Sequence, residues 1–367
     1  MPGDGWPDRV TWAEVRAADP RVFRKAALGG LLLIPAAGFG VLLAAFAGEF
    51  IAPLTFPAWL DWAPGLLTVT AVWAMILLGV FAVVLLAAPA ELRRELALRA
   101  FAESRGLRYA RIGSEPPARG IFFAEGQDSA ARRQARERLR RGTPRPGSPP
   151  PGSDTRFRAN FSLEVAGDAW EPDLQVAVAG YTGGKNDPKG PALAFRYLQL
   201  RVPRPVPHLM IDALGNGRLR NTLPGTLRVS LEGDFDRYFA VYAPDGYQRD
   251  ARELLTPDVM ASLIDRGRHW DIEVVEDRMI VVSNKVRARS DRAEITALLR
   301  FADLVGAELA HQVVTYSDPR ASRPRVRVAD AGLRLRRSVS WSWVIVPVAV
   351  GVLLGFPFVL GWILDHT

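Results

Sequence analysis

Four histidines, His208, His269, His311 and His366, and the absence of cysteine set the first limits on the chemistry of this 367-residue chain. Without thiols there is no Cys nucleophile, no disulfide, and no thiolate zinc or iron–sulfur ligation. The histidines form no close pair at metal-ligand spacing. His208, Met210 and Asp212 fall on one face of a strand, so a histidine–carboxylate pair is conceivable, but the local sequence supplies no nucleophile for it to activate. His269, beside Trp270 and Asp271, reads as hairpin surface or packing. The segment from Ala179 to Asn186, with Gly180, Gly183, Gly184 and Lys185, approaches a phosphate loop and fails twice. Asn186 stands where Ser or Thr would hold magnesium, and Pro188, Gly190 and Pro191 forbid the helix whose N-terminus would receive phosphate. Glu232, Asp234 and Asp236 resemble the start of a calcium loop, yet the sixth position is Arg237 and the twelfth Ala243, so a turn leading into a strand is the simpler reading. No side chain is assigned a catalytic, cofactor-binding or metal-ligating role, and no cofactor is implied.

The elements around these residues are easier to read. Three apolar spans, Ala26 to Ala47, Leu66 to Ala88 and Trp343 to Leu364, contain no Asp, Glu, Lys or Arg. Each is long enough to cross a hydrocarbon core of about 30 Å as a helix rising about 1.5 Å per residue. The overall 49% hydrophobic content therefore averages greasy ends with a polar middle. Pro35, Pro347 and Pro357 inside spans, with several glycines, predict kinks and close helix contacts. A gate or broken transport helix is the alternative, and the lack of intramembrane ionisable groups argues against it.

Arg and Lys in the short flanks orient the spans. Arg9, Arg16, Arg21, Arg24 and Lys25 precede the first, whereas the connector from Gly48 to Gly65 has no basic residue, so that connector is expected outside. Arg93, Arg94 and Arg99 follow the second span, and Arg334, Arg336 and Arg337 precede the third. Both ends of the middle region are therefore expected in the cytoplasm, with the short tail after Leu364 outside. Phe50, Phe56, Trp59, Trp62, Trp341, Trp343 and Trp362 fit interfacial aromatic belts. Ala45-Phe46-Ala47 has the form of a signal cleavage site, but the acidic, long preceding segment and extended apolar run argue for a retained helix. Thr11 and Glu14 suit a capping box, and Asp19 before Pro20 a second cap.

The middle opens with a helix expected from Ala90 to Arg105, set off by Pro89 and ended by Gly106. Residues 127–156 then become Arg- and Pro-rich, with seven Arg and one Glu between Ala131 and Arg145. That stretch reads as a disordered tether, as a contact for anionic lipid, or, with no interleaved aromatics to stack on bases, less readily as a nucleic-acid contact. Beyond it the period is two: strands are expected at Phe157–Val165, Leu174–Ala179, Leu193–Val202, His208–Asp212, Thr226–Leu231 and Tyr238–Tyr242. A helix follows from Pro257 to Arg266 with Thr256 as cap. A hairpin is expected from Ile272–Glu276 to Met279–Ser283 across Asp277 and Arg278. Asp291 and Glu294 suggest a capping box for a long helix through Ile295, Leu298, Leu299, Ala302, Val305 and Leu309.

The stretch Leu231-Glu232-Gly233-Asp234-Phe235, with Leu255-Thr256-Pro257-Asp258-Val259-Met260, resembles a bacterial family of uncharacterised multi-pass membrane proteins with a cytoplasmic domain of unknown function. The similarity extends to Val206–Asp212 and to the acidic run Asp271–Asp277, covering roughly Phe157 to Ser283. It brings no catalytic residues with it, and the Arg- and Pro-rich stretch lies outside its pattern.

The expected architecture is an α+β cytoplasmic domain, mainly antiparallel sheet plus helices, attached to three transmembrane helices. Its parts are a cytoplasmic N-terminal segment 1–25, a transmembrane hairpin 26–88, a juxtamembrane helix and the start of the soluble region 89–126, and the linker 127–156. The α+β domain 157–337 follows, then the third span with its outer tail, 338–367. The leading expectation is a binding or regulatory module at the inner membrane surface. Its partners would be the bilayer, a protein at that surface, and anionic lipid through the linker, with nucleic acid disfavoured. A membrane-associated enzyme of unspecified reaction and a transporter or channel subunit are the alternatives.

Overall fold

The structure is a computed structural model that describes residues 5–7, 9–47, 63–114, 121–123, 157–167, 172–181, 194–216, 223, 227–283, 286, 290–333 and 335. The expected linker 127–156, the span Trp343–Leu364 and the loop from Thr182 to Lys185 lie outside these. The chain divides into two compact units, Met1–Arg105 and Gly106–Thr367.

The first unit is helical: α1 (Trp12–Ala18), α2 (Arg21–Ala47) and α3 (Ala63–Ser104). The capping box forms, with Thr11 Oγ1 accepting the Glu14 N–H at 3.3 Å and Glu14 Oε2 accepting the Thr11 N–H at 3.1 Å. Asp19 Oδ1 accepts the Arg21 N–H at 2.9 Å, so the acidic residues ahead of α2 serve as helix caps. Val10, Val15 and Val22 are buried together against Leu92, Leu96 and Ala97 of α3. Arg93 Nε seals this elbow by donating to Val10 O at 2.8 Å. The helix expected from Ala90 is the end of α3, which continues through Pro89. A proline forgoes one backbone bond but does not end a helix whose faces are packed on both sides of it.

α2 and α3 are both long and apolar enough to cross a membrane. They touch each other closely at Gly29, where a Cβ would come within 2.8 Å of Ala82 O. Away from that contact their apolar side chains are bare: Ile34 is 68% exposed and Phe81 62%. A buried core helix of a water-soluble protein would not leave such residues uncovered.

The second unit is α+β. Seven antiparallel strands run in the order β1-β2-β3-β4-β6-β5, with β7 also paired to β4. They are β1 (Arg108–Ile112), β2 (Phe157–Val165), β3 (Leu174–Tyr181), β4 (Phe195–Ala213), β5 (Arg228–Val229), β6 (Phe239–Tyr242) and β7 (Asp271–Ser283). Helices α4 (Gln248–Leu254), α5 (Pro257–Gly267), α6 (Asp291–Phe301) and α7 (Ala307–Thr315) complete it, the last two joined by a π-helical turn, Ala302–Gly306.

Two expectations are corrected here, and β4 explains both. The separate strands at Leu193–Val202 and His208–Asp212 are one strand that passes through Pro203, Pro205 and Pro207. On one side, β3 pairs with Phe195–Leu200 and β6 with Met210–Ala213, so the prolines occupy the gap between two partners, where no donor is missed on that side. Along the other side runs β7, which is why Asp277 and Arg278 are strand residues and not a hairpin turn. The β4–β7 register slips on either side of Val206, and Glu276 opposite it takes a positive φ of 53°. The capping box at Asp291 and Glu294 is also absent: Ser290 is the N-cap, and its side chain makes no capping bond. Asp291 instead pairs with buried Arg196, and Glu294 accepts from Trp270 Nε1 and Ser283 Oγ.

One sheet face carries α6, the π turn and α7, fitted so closely that a Cβ on Gly306 would overlap Leu200. On the other face Phe157, Phe195, Tyr197, Met210, Tyr242 and Ile280 form a core with the separate segment Ile121–Phe123. Phe123 packs edge-on to Phe157 and Tyr197 at 5.5 and 5.1 Å between centroids.

Candidate functional site

On the aromatic face, side chains two apart along β4 and β7 carry buried charge. Ile211 pairs with Ile272, and one step further Asp212 stands opposite Asp271. Both are buried, Asp212 at 3% exposure. Asp271 Oδ1 accepts the Ala213 N–H at 3.1 Å and the Asn216 amide at 2.7 Å, which anchors the turn leaving β4. Asp212 shares a hydrogen bond with Asp271. Burial first, then the charge and hydrogen bond of Asp271, push its pKa up to about 7. Near neutrality this carboxyl pair therefore holds a shared proton. Tyr242, on the same face, is raised as well, by burial and then by Asp212.

His208 completes the cluster in a way the sequence left open. It pairs not with Asp212 but across the sheet, its Nε2 2.5 Å from Glu273 Oε1. The same carboxylate oxygen accepts the Ile121 N–H at 2.5 Å, so Glu273 ties the aromatic segment to the sheet. Its other oxygen, Oε2, is buried without a hydrogen-bond partner among the described residues.

Another buried carboxylate on this face behaves oppositely to Asp212. Glu164 of β2 accepts from Ser162 Oγ at 2.7 Å, Ser114 N at 2.7 Å, Gln175 Nε2 at 2.8 Å and Arg108 Nη2 at 2.5 Å. Burial alone would raise its pKa, but the bonds from Ser162, Arg108, Gln175 and Ser114 outweigh that and hold it below the usual value. Gln175 in turn accepts from Tyr197 Oη, whose pKa is pushed well up by burial and by Glu164. Glu164 is thus a fixed charge with its acceptors filled.

A third network lies beside α4. Arg320 bridges Asp250 through two bonds of 3.1 and 3.0 Å, and Tyr316 Oη donates to the same carboxylate at 2.9 Å. Asp318 accepts from Tyr247 Oη, Ala329 N and Arg320 N. Burial opposes its charge, but these bonds win and lower its pKa. Tyr247 is raised to about 12, by burial and then by its bond to Asp318.

The remaining sequence candidates disperse. Glu232 and Asp234 are exposed in a turn, and Asp236 accepts from Ser230 Oγ at 2.6 Å and Leu231 N at 3.3 Å, the bonding of a turn and not of an ion cage. His269 follows α5 as an exposed turn residue, and His311 is exposed on α7. Among the described residues no group of three or more His, Asp or Glu is arranged to hold a metal ion. The partners that sequence reading missed are Asp271 and Glu273. Their signal was present as two acids, two residues apart, alternating with Ile272 and Val274 at the start of the strand.

No protein-family model matches the sequence, and no curated protein matches it. Among solved structures, the crystal structure of the mycobacterial trehalose monomycolate transport factor A, TtfA, aligns at a TM-score of 0.35 with 10% identity, covering 64% of this chain and 98% of that one. A likeness of that size carries no argument about activity.

Proposed function

We propose that this is a multi-pass membrane protein whose α+β unit works in the cytoplasm as a binding or regulatory module at the inner membrane surface. The observation that carries the reading is the bare apolar surface of α2 and α3, for which a bilayer is the natural solvent. The charge-free span Trp343–Leu364 supplies a third crossing, and the arginines beside all three spans supply the orientation. Within the α+β unit, Glu164, Asp250, Asp291 and Asp318 are each engaged by cations or backbone donors of the fold itself, as structural braces are.

One observation favours a second reading, a membrane-associated enzyme of unspecified reaction. Asp212 changes charge near neutrality beside the His208–Glu273 pair, as an acid–base group would. The bonds of His208 and Asp212 run to other carboxylates, however, and not to a hydroxyl or amine that they could activate.

Because the chain has no cysteine, single cysteines introduced at Thr55, Ser148 and Thr367 test the topology cleanly. In intact cells a membrane-impermeant maleimide should label the first and last, and reach Ser148→Cys only after lysis. Labelling at position 148 in intact cells would overturn the cytoplasmic assignment. For the binding role, crosslinking in intact membranes should recover a specific partner, and repeated failure to enrich one counts against it.

A further inference from the structure

We propose that the turn Arg323–Arg327 is a membrane-contact surface that takes the anionic headgroups of the bilayer into which the protein is anchored. This rests on the reading that the spans hold the α+β unit beside a membrane.

The chemistry starts with composition. Between Asp318 and Asp330 the chain contains Arg320, Arg323, Arg325 and Arg327 and no acidic residue. Arg320 is spent inside the fold on Asp250 and Asp318. The other three are exposed, and among the described residues no hydrogen bond or ion pair engages their side chains. Residues Ser322 to Arg327 form an uninterrupted exposed run between buried Asp318 and buried Val328. In its middle Val326 is 63% exposed, an apolar side chain flanked by guanidinium groups on either side. A solvated loop gains nothing from that arrangement. An interface does, since the cations meet phosphate and the apolar tip enters the headgroup layer.

The turn is also held in shape. The N–H groups of Val326 and Arg327 both donate to Arg323 O at 3.0 Å, and Asp318 N donates to Pro324 O at 2.9 Å. Asp318 itself is fixed by Tyr247, Ala329 and Arg320. Three cations are thus presented within five residues on a braced support, so less side-chain and backbone entropy is lost on contact than for a free tail.

Proximity comes from the chain. Leu335 is buried in the α+β unit, and Trp343, where the last apolar span begins, lies eight steps further along the chain. Fully extended, that connection reaches at most about 29 Å. A surface tethered so near a bilayer meets lipid before it meets any diffusing polyanion. Each arginine should favour contact about fivefold, and the three together by roughly a hundredfold, with the gain lost at high salt.

The test uses the full-length protein with Val326→Cys as its one cysteine, labelled with an environment-sensitive dye and reconstituted into phosphatidylcholine vesicles with or without about 30% phosphatidylglycerol. Ser322→Cys serves as a second probe that keeps Val326. Both leaflets have the same composition, so insertion orientation does not affect the result. The expected outcome is a blue shift and protection from aqueous iodide in the anionic vesicles only. Both should be reversed by about 0.5 M salt and lost when Arg323, Arg325 and Arg327 are changed to Gln. Equal iodide access in both vesicle types would overturn the proposal. So would a shift that survives the triple Gln change and disappears when the arginines from Arg132 to Arg141 are replaced, since that assigns the contact to the linker. Failure of the protein to float with vesicles of either kind refutes the anchoring reading instead, and flotation with an unprotected dye refutes only the contact.

Discussion

Asp212→Asn should stabilise the protein above neutral pH and leave it nearly unchanged in acid. Asp212 and Asp271 face each other across paired strands, where like charges are unfavourable even at a surface, and here both are buried. The Asp212 carboxyl moves from 3.8 in the unfolded chain to about 7 in the folded one. Between those values the folded state keeps a proton that the unfolded state has released. Folding therefore takes up a proton, and the stability contributed by this group, fully present below about pH 4, is lost as pH rises through 7. At about 1.4 kcal/mol per pH unit the loss is bounded near 4 kcal/mol, and dielectric relaxation around the pair brings it to roughly 2–4 kcal/mol. About two thirds of that loss falls between pH 5 and pH 8, so for a unit of this size Tm should fall by roughly 3–10 °C across that range. An Asn amide carries no charge and can donate to Asp271, so the variant should lose this slope. Thermal unfolding of the detergent-solubilised protein, followed by tryptophan fluorescence with Trp270 buried as a reporter, reads the difference at each pH, and groups common to both proteins cancel. A wild-type curve parallel to that of the variant from pH 5 to pH 8, or a variant that melts lower at pH 8, would refute the shared-proton assignment.

Three further outcomes follow from the packing. Arg196→Met removes the buried partner of the Arg196–Asp291 ion pair and should cost about 3–5 kcal/mol in denaturant unfolding, most of it recovered when Asp291→Leu is added. Asp318→Ala removes the acceptor shared by Tyr247, Ala329 and Arg320. It should destabilise by about 2–4 kcal/mol and speed tryptic cleavage after Arg325 and Arg327. Gly29→Leu forces a side chain against the α3 backbone at Ala82. A Cβ on Gly40 would lie 3.4 Å from Met75 Sδ, so a disulfide between cysteines placed at these two positions should form more readily in the parent chain than in this variant.

How far the fold was legible depended on whether its cause was local. The ends of β2 and the start of β3 coincide with their expected positions because alternation and flanking turn residues are read within a few residues. The Thr11–Glu14 box and the Asp19 cap were legible for the same reason. Pro203, Pro205 and Pro207 were misread as a break because whether a proline disturbs a strand depends on what lies beside it, and the gap between β3 and β6 is invisible along the chain. Asp277-Arg278 was misread as a turn because its strand partner, Arg201, is far off in sequence. At the site, the His208–Met210–Asp212 face was legible from spacing, but its partners were not. Asp291 and Glu294 fit a capping pattern equally well, and only distant Arg196 and Trp270 recruit them to other work.

By itself the sequence determined the apolar spans, their lack of charge, their basic flanks and the order of most elements, since hydropathy, periodicity and turn chemistry act over one to a few turns of chain. Tertiary structure alone decided which acids are charged. Glu164 keeps its charge because four side-chain and backbone groups from three segments converge on it, whereas Asp212 keeps a proton because strand register sets it against another carboxylate away from water. The same residue type reaches opposite states because burial is costly to charge and only long-range neighbours can offset it.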